Sequence, residues 1–358
     1  MLEGLKKVWK SFYRNKRVLI TGHTGFKGSW LALLLRELGA EVSGFALDPA
    51  GERDNFVLCD LSGDIRDIRG NICDTDALFR AFEEVRPEIV FHLAAQPLVR
   101  ESYRIPVETY SVNVMGTINV LEAIRRTPDC RAGVMITTDK CYENDERSAG
   151  YRETDPLGGY DPYSSSKGAC EIAISSWRRS FLAPAGVGIA SARAGNVIGG
   201  GDWAKDRIVP DIIRSLESGS PVVLRNPGSV RPWQHVLEPL RGYLMLGCRL
   251  YQEPEKFASA WNFGPESGSF APVSRLTELL LKYMDRSDEP VTVPVCADAP
   301  HEAKMLTLDI SKARRELDWH PVLDLEKSAE LTAHWYKLYH TVRAGELCVK
   351  EMQWILEK

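Results

Sequence analysis

Val18-Leu19-Ile20-Thr21-Gly22-His23-Thr24-Gly25-Phe26-Lys27-Gly28-Ser29-Trp30-Leu31 is the stretch on which the fold turns. Its first four residues read as a short apolar strand. Trp30, Leu31, Leu34 and Leu35 recur at helical spacing after it. Between them lies Gly22-x-x-Gly25-x-x-Gly28. Glycines in a strand-to-helix turn let backbone approach a pyrophosphate, which the N-terminus of the helix then meets with its partial positive charge. The placement carries more weight than the glycines, since a chain with 28 of them produces such spacings by chance. Thr24 and Phe26 belong to the same loop. Asp48, twenty residues past Gly28, ends the next apolar run and is placed to accept from a ribose 2′-hydroxyl, which favours NAD over NADP. An Asp48-Pro49 turn is the competing reading.

Outward from this loop, apolar strands alternate with helical patterns. Strands are expected at Val42 to Leu47, Ile89 to Ala94 and Val134 to Thr137, and helices near 75–85, 107–126 and 163–181. This is the rhythm of an α/β fold, a Rossmann-type doubly wound parallel sheet covered on both faces. The strand through His92 ends in Leu93, Ala94 and Ala95, small enough for a cofactor to lie across it or for a helix to pack closely. His92 reads as a packed histidine. Beyond about residue 195 the pattern breaks into glycines 199–201 and short elements punctuated by prolines. The division expected is a cofactor-binding domain over 1–195, with a returning segment near 230–262, and a smaller C-terminal substrate-binding domain, mainly 196–358.

Composition sets the outer limits. A chain of 358 residues, 44% hydrophobic and 26% charged, can bury a large core. A net charge of −4 and a pI near 6.1 provide no bulk attraction for nucleic acid or an anionic membrane. Eight cysteines are dispersed without a CxxC pair, which implies reduced thiols in a cytoplasmic protein and no metal site. Met1 to Arg17 is basic and amphipathic, with no secretory signal or membrane span. A short helix packed on the domain edge is expected there, with membrane or partner docking as the sharper alternative.

Two further stretches carry chemistry. Thr137-Thr138-Asp139-Lys140-Cys141-Tyr142-Glu143-Asn144 closes an apolar strand, and Tyr163-Ser164-Ser165-Ser166-Lys167 follows. A tyrosine four residues before a lysine shares its helix face, where the ammonium stabilises a phenolate and makes the phenol a base near neutrality. A solvated lysine on an amphipathic helix is the bland reading of that pair. Asp139 and Lys140 add a second acid/base station, which simple hydride transfer does not require.

The order of nucleotide loop, Thr138-Asp139 strand end and Tyr163-x-x-x-Lys167 helix resembles the extended short-chain dehydrogenase/reductase family over nearly the whole chain. Thr138-Asp139 is similar to its nucleotide-sugar 4,6-dehydratases rather than its epimerases. Thr-Asp-Lys-Cys-Tyr-Glu-Asn at 138–144, Gly-Gly-Tyr-Asp-Pro-Tyr at 158–163, Arg-Ala-Gly-Asn-Val-Ile-Gly-Gly-Gly-Asp-Trp at 193–203 and Arg-Pro-Trp-Gln-His-Val at 231–236 resemble the branch acting on CDP-glucose. The resemblance implies bound NAD, a homodimer, and Tyr163 as base at the sugar 4-hydroxyl, aided by Lys167 and Thr138. It implies protonated Asp139 as acid at the departing C6 hydroxyl. Lys140 stands where related dTDP-glucose enzymes have the glutamate that takes the C5 proton, so either Lys140 or another group is the base. Asn71, with Ile72 beside it, stands where the family has an aspartate reaching the adenine. For the sugar nucleotide, the expected contacts are Gln96, Asn113, Asn196, Arg207, Arg225, Arg231, His235 and His301, with Trp203, Trp233 and Lys304 near the pocket. The other readings are an epimerase, a dehydratase for another nucleotide, and a catalytically silent NAD-binding scaffold.

Overall fold

The computed structural model describes residues 2–293 and 305–356, and the side chains of 2–7 and of Ser267 are not considered. His301, Lys304 and Cys296 lie outside the described residues. Seven parallel strands form one sheet: β1 (Arg17–Thr21), β2 (Glu41–Ala46), β3 (Arg66–Arg69), β4 (Ile89–His92), β5 (Ala132–Ile136), β6 (Gly188–Arg193) and β7 (Ala260–Asn262). Their spatial order is β7-β6-β5-β4-β1-β2-β3. The order reverses direction between β1 and β4, and ligands of such sheets bind beyond the carboxyl ends of the strands at that point.

Alternation along the strands fills both faces. Val18, Ile20, Ile89, Phe91, Val134 and Ile136 enter one core with Leu31, Leu34 and the helix Leu237–Gln252. Leu19, Val90, Met135 and Ile189 enter the other with Leu78, Phe82, Leu121, Ile124 and Ile174. Continuous apolar strands are what a sheet buried on both sides requires. Expected strands and helices stand within a few residues of their anticipated places. β3, β6 and β7 were not anticipated. The charged alternation Arg66-Asp67-Ile68-Arg69 marks an edge strand, and β7 is three residues drawn from the second half of the chain.

The N-terminal helix, Leu2–Tyr13, packs on the domain edge as expected. Trp9 and Tyr13 are buried, and the Tyr13 hydroxyl donates to the Leu244 carbonyl at 2.7 Å. The second half does not stay apart from the first. Helix Ala344–Leu356 returns against Phe26–Glu37, and Trp335 lies beneath Gly200. Among the described residues no helix is long and apolar enough to cross a membrane.

Candidate active site

Gly22 takes φ +78°, and a Cβ there would sit 2.6 Å from the Ala94 nitrogen. The end of β1 thus lies on the end of β4 with no side chain between. The helix Phe26–Glu37 begins at Gly25 with no side-chain cap, leaving its first N–H groups for an outside acceptor. Thr24 donates to the Leu47 carbonyl at 3.0 Å, pinning the loop to β2. The Asp48 carboxylate stands exposed just beyond β2, 3.9 Å from Arg69. A bare helix terminus, a loop with no side chain in the way and an exposed carboxylate fit a dinucleotide. The backbone of Leu93 and Ala94 lies directly against Gly22, with Ala95 next in the chain. Asn71 spends its carbonyl on the Cys73 amide at 2.9 Å, and Ile72 is buried.

From Phe26 and Lys27, just past this loop, opens a cavity of about 700 Å³, walled also by Thr138, Asp139, Lys140, Tyr163, Asn196, Arg207, Arg225 and Arg231 among others. Thr138 caps a short turn, Asp139–Cys141, immediately after β5. Its hydroxyl donates to Asp139 Oδ1 at 2.9 Å. Asp139 lines the cavity, and its Oδ2 is buried with no hydrogen-bond partner. Gly195 makes room for that carboxylate, since a Cβ at 195 would overlap it. Lys140 lies half-buried at the wall, with no hydrogen-bond or ion-pair partner for Nζ among the described residues.

Tyr163 opens the helix Pro162–Trp177, capped by Asp161, whose carboxylate accepts from Ser164 N at 2.9 Å. The Tyr163 phenol is buried in the free protein. Burial pushes its pKa up, and a hydrogen bond with Thr138 and the Arg207 guanidinium offset this only in part. Lys167 does not reach the cavity wall. It lies beneath it with Nζ 3.4 Å from the Ile136 carbonyl, its pKa lowered by desolvation. Helical spacing alone made these two neighbours, but which layer each tip enters is a tertiary matter.

Other expected contacts separate similarly. Asn196, in the left-handed region at φ 50°, and Arg207, Arg225 and Arg231 line the cavity with Trp233. Arg207 donates to Asp202 at 2.9 Å. Gln96 and Asn113 instead bond to each other, Gln96 N to Asn113 Oδ1 at 2.8 Å, and to Thr109 and Ser166. They brace the wall from behind. His235 is a correction: it is fully buried outside the cavity, edge-on to Trp30. Its Nε2 lies 3.4 Å from Glu351, and burial lowers the histidine to about 3 and raises the glutamate, so burial disfavours charge on both. A histidine in the two-residue strand Gln234–His235, just before a helix, offers no signal of which way it points.

Three features were missed. Lys27 lines the cavity from the first turn of a helix whose residues 30–35 are all apolar, its ammonium lowered to about 7 by desolvation, with Arg207 and Lys167 adding to the effect. Its charge among Phe26, Trp30 and Leu31 was the available signal. Glu171 and Arg193 form a buried pair at 2.8 Å behind the site, and Arg100 joins the cavity mouth. No spacing in the sequence announced either.

A family model described as GDP-mannose 4,6 dehydratase matches residues 19–332. The chain is 49% identical over 335 residues to the CDP-glucose 4,6-dehydratase of Salmonella typhimurium, covering 92% of this chain and 93% of that one. It is 26% identical over 347 residues to a dTDP-glucose 4,6-dehydratase of Xanthomonas campestris, covering 92% and 95%. Two solved structures share the fold. A Thermotoga maritima UDP-glucose 4-epimerase with UDP-glucose has a TM-score of 0.75 at 24% identity, covering 89% of this chain and 98% of that one. A Bacillus anthracis dTDP-glucose 4,6-dehydratase in complex with NAD has 0.74 at 20%, covering 89% and 96%. With the crevice, the Tyr163-Lys167 helix and Asp139 in one place, the chain belongs to the GDP-mannose 4,6 dehydratase family, within the extended short-chain dehydrogenases/reductases.

Proposed function

We propose that the protein is a CDP-glucose 4,6-dehydratase, a hydro-lyase converting CDP-D-glucose to CDP-4-dehydro-6-deoxy-D-glucose for deoxysugar and surface-polysaccharide synthesis. The observation that carries this is the 49% identity across nearly the whole chain to the Salmonella typhimurium enzyme. Asp139, lining the cavity with Tyr163 and with Oδ2 unpartnered, agrees with it, because loss of water needs an acid at the leaving oxygen that epimerisation does not.

NAD fits the crevice through the bare helix terminus at Gly25 and the carboxylate of Asp48. When bound, it supplies the hydride acceptor at C4, the hydride donor at C6 and a positive charge near the buried phenol. Tyr163 receives the proton of the 4-hydroxyl, and Thr138 orients it. Oxidation at C4 makes the C5 hydrogen acidic. Lys140, a cavity-wall amine with no partner to release, is our choice for the group that removes it, while Asp139 gives its proton to the departing C6 hydroxyl, and C5 regains a solvent-exchanged proton when the hydride returns to C6. Lys167 holds the cofactor ribose from the layer beneath. Arg207, Arg225, Arg231 and Asn196 meet the diphosphate, so residues 196–358 mainly hold the sugar nucleotide, and 1–195 with the returning segment near 230–262 mainly hold NAD.

The same reading makes the protein a cytoplasmic homodimer. Exposed Tyr103, Val107, Tyr110 and Met115 on the helical segments over 99–126, and Ile172 and Phe181 on those over 162–182, form apolar surface suited to a second copy. The free thiols of the described cysteines suit a reducing compartment.

The test is mass spectrometry of CDP-, UDP- and dTDP-glucose incubated with protein and NAD in deuterated water. Loss of one water with one deuterium gained, for CDP-glucose alone, is the expected result. Unchanged mass for all three ends the dehydratase reading, and dehydration of another nucleotide reassigns the substrate.

A further inference from the structure

At the mouth of the cavity two arginines converge on one carboxylate oxygen. Arg225 Nη1 lies 2.5 Å from Asp206 Oδ1, and Arg100 Nη1 lies 3.8 Å from the same atom. All three residues line the cavity. Arg225 belongs to the second half of the chain, but Arg100 comes from the helix Val99–Arg104, which follows β4 in the first half. Arg225 is further tied to Asp211 at 3.4 Å, and Asp206 is held in the left-handed region at φ 61°. The guanidinium groups are therefore gathered before any ligand arrives. A carboxylate oxygen shared by two guanidiniums has the charge and acceptor geometry of a phosphate oxygen.

We propose that Arg100 and Arg225 form a clamp for the diphosphate of the nucleotide sugar, with Asp206 holding the phosphate's place in the free protein. Arg100 is then a substrate-binding residue supplied by the cofactor half. The inference rests on the reading of the protein as a nucleotide-sugar enzyme. Binding exchanges a partly exposed ion pair, which contributes little, for a charge-assisted bidentate contact in a site that the sugar nucleotide closes to water. Arg100 also bridges the two halves, so the clamp is complete only where both meet.

The test measures CDP and CMP binding to the NAD-loaded full chain by calorimetry, with Arg100→Met, Arg100→Lys and Asp206→Asn. Removing one charged donor is expected to weaken CDP about ten- to a hundredfold. CMP should change far less, because it lacks the second phosphate. The loss with CDP-glucose should fall on KM rather than kcat, and Arg100→Lys should recover part of it. Equal losses for CDP and CMP, or no loss, would overturn the clamp. Should Arg100→Met fail to fold, Asp206→Asn decides: removal of the competing carboxylate tightens CDP if the proposal holds, and unchanged or weaker binding refutes it. A wild-type protein that binds CDP but dehydrates no sugar nucleotide ends the dehydratase reading while leaving the clamp to be judged on the CDP and CMP difference.

Discussion

Two buried carboxylates within one turn of catalytic machinery are treated in opposite ways. Glu171 lies one turn beyond Lys167 and is surrounded: Thr137 donates to Oε1 at 2.5 Å, and Ser191 and Arg193 donate to Oε2 at 2.7 and 2.8 Å. Arg193 continues to the Tyr142 hydroxyl at 2.6 Å, and Tyr142 to Asn262 at 2.8 Å, so β5, β6 and β7 are tied behind the site. These donors hold the Glu171 pKa below its ordinary value despite burial. Asp139, equally buried, has one oxygen held by Thr138 and the other without a hydrogen-bond partner. A satisfied buried charge holds a structure together. An unsatisfied one on a cavity wall costs stability in the free protein and is kept for what binds there.

The sharpest way to break this contrast is Arg193→Met, which leaves Glu171 buried and unpaired and should cost about 3–5 kcal/mol of stability. Urea unfolding would measure it. A loss under 1 kcal/mol would mean the network carries little. Asp139→Asn should do the reverse, lowering turnover about 10²–10³-fold while leaving the urea midpoint unchanged or raised. A destabilised protein with intact turnover would make Asp139 structural and erase the distinction.

His92 extends the comparison to a neutral buried group. Its Nδ1 lies 2.7 Å from the Thr21 hydroxyl and Nε2 3.0 Å from that of Thr117, and burial lowers its pKa to about 3. Because the folded value lies below that of the unfolded chain, near 6.5, the unfolded state takes up the proton first as pH falls. Stability from this group is whole above about pH 6.5 and drains away toward pH 3. At pH 5 the loss amounts to about 2 kcal/mol. The stability gap between wild type and His92→Gln should narrow by that amount between pH 7 and 5, and a constant gap would disprove the neutral assignment. Smallest is the exposed pair Arg249 and Glu253 at 3.9 Å, where Glu253→Gln should shift stability by less than about 0.5 kcal/mol. A larger loss would show that surface pairing here rivals the buried network.

The long apolar runs and the Gly22-x-x-Gly25-x-x-Gly28 turn were legible because they are local. Each strand's alternation and each helix's spacing are written in neighbouring residues. The Thr138-Asp139 and Tyr163-Lys167 stations were legible for the same reason, as short strings on an anticipated strand end and helix. β3 and β7 were not, since an edge strand of charged residues and a three-residue strand from a distant segment lack any periodicity to read. His235 illustrates the limit at one residue. Its string placed it four residues after Arg231, which does line the cavity, yet its side chain turns into the core against Trp30 and Glu351.

From its sequence alone this protein determined its class, its nucleotide turn and the chemical types gathered for reaction, because those follow from patterns a few residues long. Only the tertiary structure decided that Lys167 lies beneath the cavity, that Glu171 is satisfied and Asp139 is not, and that Arg100 meets Arg225 through Asp206. These partners lie on different elements, twenty to more than a hundred residues apart, and are brought together by sheet order and packing, which no local pattern encodes.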